Sequence, residues 1–339
     1  MERSTHPRHR RRRPGARTAA RLAAGGAGLA LALAAAVVGG AGPAGAAAAA
    51  AGPYPEGTIA QGFATELTDP DGMPPGVVNG PCTPSSAHPY PVVLVHGTFA
   101  NENVSWQALA PLLADSGYCV FGFNYGATAS SAGRFYGEAA VEDSARQLAG
   151  FVSRVLAWTG ARQVDIVGHS QGGMMPRYYV DVLGGAPRVH TLVGLAPSNH
   201  GTTLDGLDAL AAAFGDQGYA MAGATGCAAC AEQQAGSPFM RALNAGGDTV
   251  PGPNYVVIES THDEVVTPYS SAFLRGPDVM DVTLQDQCAT DASEHLGIIY
   301  DPVALQDVAA ALADNGPAVA PLPEPACSLV APGVGGVTG

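Results

Sequence analysis

Short apolar runs alternate along this chain with longer stretches in which apolar residues recur at helical spacing. Pro91-Val92-Val93-Leu94-Val95 is continuous and β-branched, the pattern of a strand buried on both faces, as in a parallel sheet covered by helices. Cys119–Phe123, Val164–Val167, His190–Leu195, Tyr255–Glu259 and Val279–Leu284 read as further strands. Between them, Trp106–Ser116, Glu138–Thr159 (ending at Gly160), Met174–Leu183 and Val303–Ala313 have helical periodicity. Strand and helix in alternation predict an α/β fold, with a mostly parallel doubly wound sheet and helices on both faces. Residues 47–90 and 317–339 are rich in Pro and Gly and read as extended, and residues 202–253 interrupt the alternation as a cap- or lid-like insertion. Its one helical stretch is Leu204–Phe214. There is no Gly-x-Gly-x-x-Gly and no Walker-type loop, so no nucleotide cofactor is implied.

The strand at Val164 runs into Gly168-His169-Ser170-Gln171-Gly172, and helical spacing resumes directly after it. Strand, Gly-x-Ser-x-Gly and helix in that order form a nucleophile elbow, in which a sharp turn holds the serine hydroxyl clear of the sheet at a helix N-terminus. The two glycines allow the flanking segments to pass close together.

The first residues are of another kind. Eight Arg and one acid, Glu2, stand in residues 1–21, followed by an Ala/Leu/Gly/Val run from Leu22 to Val38 and then Ala44-Gly45-Ala46. Basic, apolar and small-residue regions in series predict a secretory signal peptide over residues 1–46, not a transmembrane anchor or a nucleic-acid-binding arm. The catalytic domain is then 47–316, with a C-terminal tail at 317–339. Loss of those eight Arg and one Glu takes the formal charge from −13 to −20, with no Lys in the chain. Such an acidic protein is poorly suited to nucleic acid or anionic membrane, and neutral substrates suit it better. Six Cys in an exported chain predict three disulfides, and the expected pairing is sequential: Cys82–Cys119, Cys227–Cys230 and Cys288–Cys327. No Asp cluster or second Cys or His pair argues for a metal, and a secreted, extracellular monomer is expected.

A serine nucleophile needs a base, and the base needs a carboxylate that fixes its tautomer. In this fold they follow the serine in the order acid, then histidine. Of the histidines after Ser170, His190 begins a strand and His200 precedes any good acid. His262 adjoins the candidate acid itself. His295, between the last strand and the last helix, is the expected base. Asp263, on the loop after the Tyr255–Glu259 strand, is the expected acid, with Glu264 its rival; Asp286 and Asp291 read as solvated. Two N–H groups should form the oxyanion hole: that of Gln171, and one from His96-Gly97-Thr98, where Thr98 is preferred to Phe99 and could also offer its hydroxyl. His96 reads as a turn residue. Phe99, Met174, Met175, Phe214 and Met221 are candidates for an acyl pocket.

Val95-His96-Gly97-Thr98, Gly168-His169-Ser170-Gln171-Gly172-Gly173-Met174-Met175-Pro176-Arg177-Tyr178-Tyr179 and Leu195-Ala196-Pro197-Ser198-Asn199-His200-Gly201-Thr202 resemble the secreted bacterial lipase/esterase family called class 2 lipases. The resemblance spans roughly residues 80–310. It implies an α/β-hydrolase fold and carboxylester hydrolysis, so that acyl-ester or lipid substrates, and with lipids a lipid–water interface, are the expected partners. By motif it implies Ser170 as nucleophile, Asp263 as acid, His295 as base, and Thr98 with Gln171 at the oxyanion hole. An acyltransferase or polyester depolymerase with the same residues is the alternative within the fold, and a catalytically silent binding protein the alternative outside it.

Overall fold

A computed structural model describes residues 54, 56–69, 72–129, 131, 133–203, 205–206, 226–316, 320–327, 330–331 and 335–336. The signal-peptide expectation for residues 1–46 lies outside them, as does most of the helical stretch expected at Leu204–Phe214.

Six parallel strands form the sheet: β1 (Val92–Val95), β2 (Val120–Gly122), β3 (Val164–His169), β4 (Val189–Leu195), β5 (Asn254–Glu259) and β6 (Val279–Thr283), in the order β2-β1-β3-β4-β5-β6. All six are the apolar runs of the sequence, and the central ones are buried along their whole length. Register follows from the alternation within them. Val92 and Leu94 face Trp106, Leu109, Leu113, Val303 and Val308 on one side, and Val93 and Val95 face Val141, Leu148, Val152 and Met174 on the other. The fold is an α/β-hydrolase sheet sandwiched between two apolar layers.

The helices sharpen the sequence reading and correct it in two places. The lead-in is not extended throughout, because α1 (Ile59–Thr68) forms there. A reciprocal capping box starts it: Gln61 N donates to Thr58 Oγ1 and Thr58 N to Gln61 Oε1. The single helix expected over Trp106–Ser116 is two, α2 (Glu102–Trp106) and α3 (Leu109–Asp115). Pro111 explains the break. A continuous helix would set its ring against the carbonyl of Gln107, whereas a helix that restarts at Leu109 holds Pro111 in its first turn, where no N–H is needed. Helix α4 (Val141–Thr159) ends where expected, at left-handed Gly160, and α5 (Gln171–Asp181) follows the elbow. Within the insertion, the structure describes α6 (Ala228–Glu232) and α7 (Pro238–Asn244), and α8 (Pro302–Ala313) closes the sheet.

Three disulfides, Cys82–Cys119, Cys227–Cys230 and Cys288–Cys327, match the sequential pairing. The first ties the lead-in to the start of β2 and the third ties the tail beyond α8. Each closes a loop of nearly forty residues, worth about 4 kcal/mol in the chain-entropy picture. No helix among the described residues is long and apolar enough to cross a membrane.

Candidate active site

The site begins with the turn at the end of β3. Ser170 has φ 56° and ψ −123°, a conformation that costs a non-glycine residue of order 1–3 kcal/mol and persists only when its surroundings impose it. They do. Ser170 N donates to Leu195 O of β4 at 2.9 Å, and Ser170 O accepts from Gly173 N and Met174 N. A Cβ on Gly168 would lie 1.8 Å from Gly172 O, and one on Gly172 would lie 2.1 Å from Val95 O. The helix start, the elbow strand and β1 are therefore in backbone contact, and only glycine fits at either position.

His295 Nε2 lies 3.0 Å from Ser170 Oγ, and His295 Nδ1 lies 2.7 Å from Asp263 Oδ2. The other oxygen, Asp263 Oδ1, accepts from the N–H groups of Val265 and Val266 at 2.7 and 2.8 Å. That local turn fixes the carboxylate and leaves Oδ2 for the imidazole. Glu264, the rival, reaches only the backbone N–H of His295, at 3.4 Å.

Burial opposes charge on both partners, and their mutual attraction outweighs it. Asp263 is held below the usual carboxylate range by His295 and by its two backbone donors. His295 is held above the ordinary imidazole value by the charge and hydrogen bond of Asp263. Glu259, fully buried at the end of β5, is pushed well above the usual carboxylate range by burial and then by the Asp263 charge. Burial also lowers His169 to about 3 and His96 to about 4, so neither carries a competing charge.

The loop after β1 comes within reach of the elbow. Phe99 N donates to Tyr136 O at 2.8 Å, which commits that group. Gln171, first residue of α5, has no intrahelical acceptor for its N–H. The Thr98 hydroxyl donates to Gln171 Oε1 at 2.6 Å. A further residue joins them that the motifs did not point to: Gln233, at the end of α6, whose Nε2 donates to Thr98 Oγ1 at 2.8 Å. It lies 135 residues from Thr98 in an insertion without a motif, so only the fold reveals it.

The other candidates lie elsewhere. His96 accepts from Tyr125 N and stacks on the Tyr125 ring, a turn residue as read. His190 pairs with Asp165 at 3.0 Å, and His200 contacts Ser271 O and Asp248. Met174 and Met175 are wholly buried against the sheet and belong to the core, not to an acyl pocket, while Phe99 packs on Val265. Phe214 and Met221 lie outside the described residues. Asp291 is not solvated: it is buried, and its Oδ1 accepts from Ser293 N and Ser293 Oγ. The Ser293 hydroxyl also contacts Asp301, so two carboxyls and one serine sit beneath the His295 loop. Among the described residues, no group of three or more His, Cys, Asp or Glu is placed to hold a metal ion.

The profile of the family described as Lipase (class 2) matches residues 89–307, which take in every side chain of this site. The chain belongs to the class 2 lipase family. Among curated relatives of this lipase-family chain, a triacylglycerol lipase of Pseudarthrobacter phenanthrenivorans is 37% identical over 98 residues, 27% of this chain and 28% of that protein. A triacylglycerol lipase of Burkholderia plantarii is also 37% identical over 98 residues, 27% of this chain and 25% of that one. The matched stretch thus spans about a quarter of those relatives. Among solved structures, Aspergillus fumigatus lipase B superposes with a TM-score of 0.56 at 21% identity, covering 73% of this chain and 56% of that one, which is a likeness of fold.

Proposed function

We propose that this chain is a secreted serine carboxylester hydrolase, a lipase or esterase acting on neutral acyl esters. The observation that carries the reading is the unbroken hydrogen-bonded series from Ser170 Oγ through His295 to Asp263, mounted on a strained elbow. His295 takes the Ser170 proton as the hydroxyl attacks the ester carbonyl, and Asp263 stabilises the imidazolium that forms. The oxyanion is received by the N–H groups of Thr98 and Gln171, each donor worth roughly 3–4 kcal/mol in comparable sites. His295 then protonates the leaving alcohol and later activates the water that releases the acid from Ser170. Residues 1–46 serve as an export signal, and three disulfides suit the extracellular medium it leads to. The described part of the insertion at 202–253 reaches the site through Gln233, which meets Thr98.

The experiment is ester hydrolysis by the mature chain and by Ser170→Ala, with folding followed by circular dichroism. Turnover should vanish in a folded variant, and retained turnover rejects the assignment. Short and long acyl esters, dissolved and emulsified, then separate an esterase from a lipase: a rate jump at the emulsion interface marks the lipase.

A further inference from the structure

We propose that Gln233 is a positioning residue that converts the Thr98 hydroxyl into a third donor for the oxyanion. The inference rests on the hydrolase reading above and deepens it.

A threonine hydroxyl has one proton to give and lone pairs that accept. Gln233 Nε2 donates to Thr98 Oγ1 at 2.8 Å, so a fixed donor fills the acceptor side and the hydroxyl proton must point elsewhere. In the resting site it points to Gln171 Oε1 at 2.6 Å. Gln171 Oε1 has a second donor already in place, because the same Gln233 Nε2 lies 3.2 Å from it. When negative charge develops beside the Thr98 and Gln171 N–H groups, the hydroxyl proton turns towards the stronger acceptor. Gln171 Oε1 is not left bare, so the turn avoids the penalty of a buried unsatisfied acceptor. Gln171 Nε2 makes no hydrogen bond among the described residues, which leaves Oε1 as the atom that orients this amide.

Gln233 itself is pinned at every polar atom. Its Oε1 accepts from Ser198 Oγ at 2.9 Å, and its Nε2 also reaches the carbonyl of Ala229 at 3.2 Å, which can only accept and so fixes which end of the amide faces Thr98. Its backbone O accepts from Thr202 N at 2.8 Å, and its N donates to Ala229 O at 2.9 Å. Thr98, Gln171, Ser198 and Gln233 are all buried, where oriented donors act with little screening. The helix that ends at Gln233 is only five residues long and is stapled by Cys227–Cys230. An element of the insertion is therefore built into the oxyanion hole.

The test is kcat and KM on p-nitrophenyl butyrate for wild type, Gln233→Met, Thr98→Val, their double variant and Thr98→Ser. Thr98→Val should lose about 10²-fold in kcat, on the scale of one oxyanion donor, with Thr98→Ser restoring most of it. Gln233→Met should lose roughly tenfold in kcat with KM within about twofold, and should cost nothing further in the Thr98→Val background. A Gln233→Met loss that persists undiminished beside Thr98→Val, or a Thr98→Val kcat equal to wild type, overturns the proposal. If Gln233→Met does not fold, the isosteric Gln233→Glu replaces it: the carboxylate accepts the Thr98 proton instead of donating, so kcat should fall at least as far, and an unchanged kcat again rejects the role. Fluorophosphonate labelling of wild type separates the two levels. Failure to label Ser170 removes the hydrolase reading, whereas labelling together with an unaffected Gln233 variant removes only the role of Gln233.

Discussion

Asp263 Oδ2 sits 2.7 Å from His295 Nδ1 with both side chains fully buried, while the neighbouring Glu264 meets only the His295 backbone. Substitution should separate the two acids. Asp263→Asn keeps the shape but favours the wrong imidazole tautomer, and kcat should fall roughly 10³–10⁴-fold. Glu264→Gln should stay within about threefold of wild type. Steady-state ester hydrolysis decides, and the reverse ranking would make Glu264 the partner of His295.

The pH dependence follows from the same pair. Burial lowers the His295 pKa, and Asp263 more than offsets this, so the net shift is upward from 6.5. His295 must be neutral to accept the serine proton. The acid limb of kcat/KM should therefore have its midpoint above 6.5 in the free enzyme, and Asp263→Asn should move that midpoint down. Stability runs the other way: a raised imidazole pKa contributes below the unfolded value and is lost as pH rises through the folded one. A limb below 6.5 in wild type would contradict the charge balance described for this pair.

A second titration lies beneath the His295 loop. Burial, reinforced by Asp291, raises Asp301 from 3.8 to about 7. The folded protein holds this proton when the unfolded chain has released it. Stability should thus decline from about pH 4 to about pH 7 on account of this group and level off above that range. Asp301→Asn, which cannot ionise, should flatten that slope in urea unfolding at pH 5 and pH 8. An unchanged slope would mean that Asp301 is ionised in the folded protein.

The elbow glycines admit a blunter measurement. Gly168→Ala sets a Cβ 1.8 Å from a backbone oxygen that cannot swing away, and Gly172→Ala meets Val95 O at 2.1 Å. Each should cost more than about 3 kcal/mol or prevent folding. Gly150→Ala, exposed on α4 with nothing within 4 Å of its new Cβ, should be neutral or stabilising by a few tenths of a kcal/mol. Thermal unfolding of the three variants tests the ranking.

What the sequence made legible was whatever is local. Each of the six strands falls within a short, largely apolar run, and Ser170, Asp263 and His295 stand on the turn or loops that follow β3, β5 and β6 in an order that the fold dictates. The lead-in helix is masked in the sequence by the many Pro and Gly of residues 47–90, although Thr58 and Gln61 carry its capping signal. Asp291 reads as solvated because an acid in a loop usually is, and nothing near it in sequence announces Asp301 as its companion through Ser293. Gln233 is the extreme case: a common polar residue whose partners come from the β1 loop, the elbow and the loop after β4.

That last contact bears on engineering. Segments inserted between a strand and the next are attractive units for grafting between related hydrolases, because they join the scaffold at only two points. Here the boundary of such a graft runs through a hydrogen bond to Thr98. A chimera that replaces residues 202–253 without supplying an amide at the position of Gln233 would lose that bond and should turn over more slowly. A donor segment chosen for that amide would keep the contact to Thr98.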